Sequence, residues 1–193
     1  MGLPVRDSLR HTYADYASWP EDERWEIIDG IAYAMAPAPS RLHQEVVLEL
    51  ARQIANALLG KPCQVYIAPF DVRLPRPGES DDQIENVVQP DVSVICDPSK
   101  LDDRGCRGAP DWVIEVLSPQ TAAHDQIVKR DLYERHGVQE FWLIHPGDQL
   151  AMVYLLEGGA YGKPLVRELG GELDSSAVPG VSVDLSRLVR TED

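Results

Sequence analysis

The segment Asp-Trp-Val-Ile-Glu-Val-Leu at 111–117 constrains this chain more than any other. Its odd and even positions both carry large hydrophobic side chains, so as a strand it is apolar on both faces and belongs inside a covered sheet. Glu115 interrupts it, and the two-residue period places that carboxylate beside Val113 and Leu117. Moving an ionised carboxylate from water into such surroundings costs several kcal/mol unless it is paired or binds a metal. Three readings of Glu115 follow from the residues alone: a functional group, a strand end open to solvent, or half of an internal salt bridge.

The rest of the chain supplies a sheet and helices around that strand. Asp29-Gly30 between the apolar runs Trp25–Ile28 and Ile31–Tyr33 predicts a β-hairpin. Ser40 N-caps a segment in which Leu42, Val46, Val47, Leu50, Ile54 and Leu58 recur at helical spacing until Gly60, predicting a helix over Arg41–Leu59. Strands are predicted at Gln64–Ala68, Phe70–Leu74, Val92–Cys96 and Trp112–Leu117, with Pro75–Gln89 as a surface loop. A second helix opens at Thr121 and ends near His136, where Gly137 is a natural C-cap. Glu140–Ile144 and Ala151–Leu156 read as further strands, and Leu185–Val189 as a short terminal helix. The fold class is mixed α/β, without the strict alternation of a dinucleotide-binding fold, in a single domain over 1–193.

Charge narrows the function. With 18 Lys and Arg against 32 Asp and Glu, the net charge is −14. Sequence-independent coating of nucleic acid requires clustered cations that release counterions, so any nucleic-acid chemistry here would need a metal. The three cysteines, Cys63, Cys96 and Cys106, are odd in number and form no C-x-x-C pair, which suggests reduced thiols and a cytoplasmic location. The first ten residues have no apolar core of a signal peptide, and Arg6 stands where a myristoylation signal needs Ser or Thr. No stretch is long and apolar enough for a membrane span. There is no G-x-S-x-G, Walker loop, G-x-G-x-x-G or H-E-x-x-H motif, so serine-hydrolase, nucleotide-binding and zinc-hydrolase readings lack support.

Asp91, after Pro90 and at the head of an apolar run, reads as a turn cap or, beside Glu115, as half of an oxygen site for a hard cation. Lys129, four residues after Asp125, reads as an exposed helical ion pair or as a functional cation. His43 reads first as a capping or packed histidine.

Together these residues resemble the Uma-type family of restriction-endonuclease-like domains in the PD-(D/E)XK nuclease superfamily. The resemblance is carried by residues 24–44, by VVQPDVSVICD at 87–97 and by 108–146, where P-D, E-V-L-S-P, D-x-x-x-K, Y and G-V-x-E-F-W occur in order. It implies a mixed sheet core flanked by helices, with an N-terminal hairpin and additional C-terminal strands. It also implies metal-dependent hydrolysis of phosphodiester bonds in DNA by a homodimer. Asp91, Glu115 and the Val116 carbonyl would hold Mg²⁺ or Mn²⁺, and Lys129 would serve as the motif lysine. His43, Glu26 and Asp125 would support the site. The superfamily places that lysine two residues after the acidic residue, where this chain has Leu117, so its role would have moved to the following helix. The competing expectation is a non-catalytic interaction protein that keeps the fold.

Overall fold

The computed structural model describes residues 5–20, 22–35 and 38–189. The reading of the extreme N-terminus as lacking a lipidation or export signal rests partly on residues 1–4, which lie outside the described residues. A one-turn helix α1 (Tyr13–Tyr16) precedes the hairpin β1 (Trp25–Ile28) and β2 (Ile31–Ala34). Helix α2 (Arg41–Ala57) follows, then β3 (Gln64–Ile67), β4 (Val72–Arg73), β5 (Val87–Val88) and β6 (Val92–Ile95). Next are the short β7 (Leu101–Asp102) and β8 (Gly105–Arg107), and then β9 (Trp112–Val116). A π-helical stretch, His124–Lys129, runs into α3 (Arg130–His136). The chain continues through β10 (Glu140–His145), β11 (Leu150–Glu157), β12 (Ala160–Tyr161), β13 (Leu165–Glu168), β14 (Glu172–Asp174) and β15 (Ser182–Asp184).

Two sheets dominate. The larger runs β12-β11-β10-β9-β6-β3, with β13 also on β11, and the smaller runs β2-β1-β5-β4-β8-β7. All five residues of β9 are buried, as expected for a strand apolar on both faces. It pairs parallel to β10 and antiparallel to β6. One face, with Trp112, Ile114, Val116, Trp142 and Ile144, packs on Val46, Val47, Leu50 and Ile54 of α2 and on the C-terminal segment. The other face, with Val113, Leu117, Phe141 and Leu143, packs on Leu132 and Tyr133 of α3 and on Ile28, Val72 and Val88 of the smaller sheet. Glu115 therefore points between the large sheet, α3 and the hairpin.

Local signals held where they were strongest. Asp29 and Gly30 both adopt positive φ, 49° and 77°, as the tight hairpin turn demands. Ser40 caps α2 by accepting the His43 N–H, and Gly137 ends α3 at φ 84°.

Three expectations change. Pro75–Gln89 is not simply a surface loop, since Ile84, Asn86, Val87 and Val88 are at most 1% exposed. The Asn86 side chain accepts the Asp29 N–H and β5 pairs with both β1 and β4, so the segment is stitched into the small sheet. The strand foreseen at Phe70–Leu74 contracts to Val72–Arg73, and the closing helix is a 3₁₀ turn over Leu185–Leu188. Cys63 and Cys96 are disulfide-bonded, contrary to the expectation of reduced thiols. The register that pairs Gln64 with Ile95 brings these two cysteines face to face at the end of the β3–β6 ladder. Spacing 33 residues apart in sequence could not reveal this, and the thiol argument for a cytoplasmic location no longer carries. Cys106 is free and buried.

Candidate active site

The β6–β9 register pairs Val92 with Ile114 and Ser93 with Val113, so the next position sets Asp91 opposite Glu115. Residues opposed in this way leave the sheet on the same face. The Asp91 N–H donates to Glu115 Oε2 at 3.3 Å, and the Val116 N–H donates to Asp91 Oδ2 at 2.8 Å. The two sequence-predicted carboxylates are thus held side by side, Glu115 by the Asp91 amide and Asp91 by the amide of Val116, the residue after Glu115.

Lys129 is not on an exposed helix face. Its ammonium lies 2.9 Å from Glu26 Oε1, 3.1 Å from Glu115 Oε1 and 3.6 Å from Asp125 Oδ1, and none of these four side chains is more than 6% exposed. The strand β1 supplies Glu26, β9 supplies Glu115, and the π-helical stretch supplies Asp125 and Lys129. A π-turn widens the helix locally, a departure from regular geometry that recurs at functional sites. Tyr133, one further step along the same helical face, donates to Glu115 Oε1 at 2.7 Å. The Gln89 N–H donates to Glu26 Oε1 at 2.8 Å.

One ammonium among three buried carboxylates leaves negative charge in excess. Burial pushes Glu115 well above the ordinary carboxylate range, against the opposing pull of Lys129. Burial likewise raises Asp125 to about 6. For Lys129 burial acts downward, but the attraction of Glu115, Glu26 and Asp125 prevails and holds the ammonium charged well above its usual value.

His43 reaches the same place from the start of α2, with Nε2 3.2 Å from Asp91 Oδ2. Burial alone would lower its pKa, but the hydrogen bond and charge of Asp91, with the Val116 carbonyl against the ring, raise it. Its Nδ1 is buried without a hydrogen-bond partner. His124, passed over in the sequence, packs its ring 4.8 Å from that of Tyr33, and burial lowers its pKa to about 4.

A cavity of about 780 Å³ opens onto this cluster, with Asp91, Glu115, Val116, Lys129, His43 and Arg24 among the residues that line it. Its donors are hard oxygens, the kind Mg²⁺ and Mn²⁺ take. Mg²⁺ is commonly held by one or two carboxylates while keeping several waters. The pair Asp91 and Glu115 with the Val116 carbonyl fits such an open site. Among the described residues no group of three or more His, Cys, Asp or Glu side chains is placed to hold a metal ion, so a cation here would rest on fewer side chains and on water.

Sequence reasoning missed Tyr133 and Arg24. Tyr133 follows Lys129 by four residues, as Lys129 follows Asp125, and that spacing was an available signal. Arg24 stands two residues before Glu26, so extended parity sets both toward the cavity.

Fold comparison places the molecule beside a solved structure of the same mixed α/β fold. The crystal structure of "a putative nuclease belonging to DUF820" from Anabaena variabilis ATCC 29413 superposes with a TM-score of 0.72 over 92% of this chain and 96% of that one, at 21% identity. A family model described as "Putative restriction endonuclease" matches residues 13–186, and the chain belongs to this family, Uma2. A Synechocystis sp. (strain ATCC 27184 / PCC 6803 / Kazusa) protein, "Uncharacterized protein slr1290", is 32% identical over 132 residues, covering 67% of this chain. The match spans 65% of that relative's length, a little under two thirds. Among the described residues no helix is long and apolar enough to cross a membrane.

Proposed function

We propose that this protein is a metal-dependent endonuclease that hydrolyses phosphodiester bonds in DNA. The observation that carries the reading is the meeting of Lys129 with Glu115, Glu26 and Asp125 beside Asp91, at the floor of an open cavity. A purely structural ion pair needs one carboxylate, whereas this arrangement buries three around a single cation.

Asp91, Glu115 and the Val116 carbonyl would hold Mg²⁺ or Mn²⁺. When bound, the ion would offset phosphate charge and lower the pKa of water at the site. Lys129, directed by Glu26 and Asp125, would present its ammonium to the negative charge that develops on the phosphoryl oxygens. Tyr133 fixes the orientation of Glu115 through its hydroxyl, and His43 holds Asp91 Oδ2 from the wall of the cavity. The motif lysine's usual position, Leu117, is 8% exposed and packs with Val113 and Leu132. A lysine reaching in from the helix therefore leaves the strand's apolar packing intact. A homodimer follows only if both strands of a duplex are cut.

The test is incubation of supercoiled plasmid and of single-stranded circular DNA with Mg²⁺ or Mn²⁺, with EDTA as control. Metal-dependent nicking or degradation of either substrate is expected. Intact DNA under all conditions overturns the reading and favours a nuclease-fold interaction protein.

A further inference from the structure

We propose that the cavity takes a single, unpaired nucleic-acid strand, and that Arg24 at its wall is the anchor for a backbone phosphate next to the bond that is cut. This rests on the nuclease reading of the site and goes beyond it by naming the substrate's form.

The first observation is depth. Glu115, Lys129, Glu26 and Asp125 are at most 6% exposed, so a reacting phosphate must descend into the cavity. The backbone of a stacked duplex lies on a stiff rod, and bringing one phosphodiester to that depth requires unstacking, which costs about a few kcal/mol per step. An unpaired strand bears no such cost. The cavity's 780 Å³ falls within the range of small-ligand pockets, ~300–1,000 Å³, enough for a nucleotide or two but not for a double helix.

The second observation is the deployment of cations. A protein that follows a duplex needs several free Lys or Arg side chains along its path. Here most of the described arginines are held by carboxylates, such as Arg10 by Glu85, Arg73 by Asp81 and Asp102, and Arg135 by Asp29, while the exposed Arg167 on β13 is not among the residues that line the cavity. Arg24 differs. It is exposed, lines the cavity, and donates through Nη2 to the neutral amide oxygen of Gln89 at 2.9 Å. A phosphate can replace that amide without breaking an ion pair, and the guanidinium fork suits two phosphate oxygens. Parity with Glu26 places this anchor about two strand residues, roughly 7 Å, from the reacting cluster. That matches the spacing of successive phosphates along an extended strand.

The test measures binding and cleavage separately. Fluorescein-labelled 10-mers, as a deoxy strand, the same ribo strand and the deoxy duplex, are titrated in Ca²⁺ by anisotropy, and their cleavage is followed in Mn²⁺. At least one of the two single strands should bind and be cut at least about tenfold better than the duplex, the deoxy and ribo arms showing which sugar is preferred. Arg24→Gln should weaken single-strand binding about tenfold, raise KM more than it lowers kcat, and reduce the salt dependence of log K by ~0.7. Arg24→Lys should recover part of the loss. Equal or better handling of the duplex, or unchanged binding by Arg24→Gln, overturns the inference while leaving the nuclease reading in place. Arg24-dependent strand binding without cleavage of any substrate sinks the nuclease reading and retains the strand site. Failure both to bind and to cut any of the three overturns both.

Discussion

Among the described residues two cations, Arg73 and Lys129, are buried among carboxylates, and in opposite ways. Arg73, with a fully buried guanidinium, meets Asp81 at 2.6 Å and both oxygens of Asp102 at 2.6 and 2.7 Å, and Arg104 and Arg107 reach the same Asp81. There three arginines face two carboxylates that are 22% and 42% exposed, so the negative charge is matched and partly solvated, although the buried Arg73 Nε has no hydrogen-bond partner. Around Lys129 one ammonium faces three carboxylates, all buried, with Asp91 adjoining. The first pattern ties the β4–β8 edge of the small sheet together. The second concentrates negative charge that its one ammonium does not balance, and burial raises Glu115 and Asp125 in response.

The largest expected effect separates the two regions by chemistry. Asp91→Ala and Glu115→Ala should each reduce metal-dependent cleavage by at least ~100-fold and weaken Mn²⁺ binding in calorimetry, since each removes an oxygen donor from a site with few. Arg73→Met should leave Mn²⁺ affinity and the cleavage rate per folded molecule as they are. Equal Mn²⁺ affinity in all three variants would erase the distinction.

Next comes Lys129→Ala, which should lose ~10²–10³-fold in cleavage while still binding Mn²⁺, because a charge-stabilising group and not a donor is gone. Adding Leu117→Lys should restore part of the rate, since Leu117 leaves the strand on the Glu115 face. If Lys129→Ala cuts at the parent rate, Lys129 balances charge only and the two clusters are alike in role.

In stability the order reverses toward Arg73. Arg73→Met should cost on the order of 3 kcal/mol in urea unfolding, for it leaves Asp81 and Asp102 without their buried partner. A loss below measurement error would show that Arg104 and Arg107 suffice.

The two clusters should also respond to acid with opposite sign. Asp125 is raised to about 6 in the fold from an ordinary value near 3.8, so the metal-free native state binds protons that the unfolded chain does not. Stability should then rise as pH falls from about 7 toward 4, by on the order of 3 kcal/mol at most. Asp102 is lowered, chiefly by its hydrogen bond to Arg73, so its contribution is present above about pH 4 and is lost as the pH drops through its folded value. Thermal melts between pH 3 and 8 should show a maximum in mild acid, and Asp125→Asn should flatten the slope between 4 and 6. A parent protein whose melting temperature climbs steadily to pH 8 would contradict this.

The smallest effect is the sharpest discriminator of charge excess. Without metal, Glu115→Gln should raise stability by about 1 kcal/mol, as removal of strained functional charge often does, while Asp102→Asn should lower it by about as much. Matching signs in the two melts would mean that the clusters do not differ as described.

Much of the fold was legible because its signals are local. Asp29-Gly30, the Ser40 cap with its apolar row along α2, and Gly137 each act within one turn, and each stands where expected. The two-faced apolar strand also announced its own burial. Pro75–Gln89 was misread because prolines and acidic residues mark its start, while the hydrogen bonds that bury its end come from a turn 57 residues away. The cysteines were misread for the same reason, because a ladder register joins them and spacing does not reveal register.

For the site, residue identity was in the sequence and arrangement was not. Glu115 was conspicuous from its apolar context and Asp91 gained weight beside it, whereas Lys129 as the motif lysine, His43 and the supporting Glu26 and Asp125 were named through the family resemblance. What sequence alone determined was that the strand around Glu115 would be covered on both faces, since strand parity and hydrophobicity are properties of neighbouring residues; that Glu115 is buried with it and does not end open to solvent is seen only in the fold. Only the tertiary structure decided that β1, β9 and the π-helical turn deliver three carboxylates to one ammonium. Electrostatic energy depends on distances of 3–4 Å between groups up to 103 residues apart in sequence, from Glu26 to Lys129, and those distances exist only once the sheets have packed.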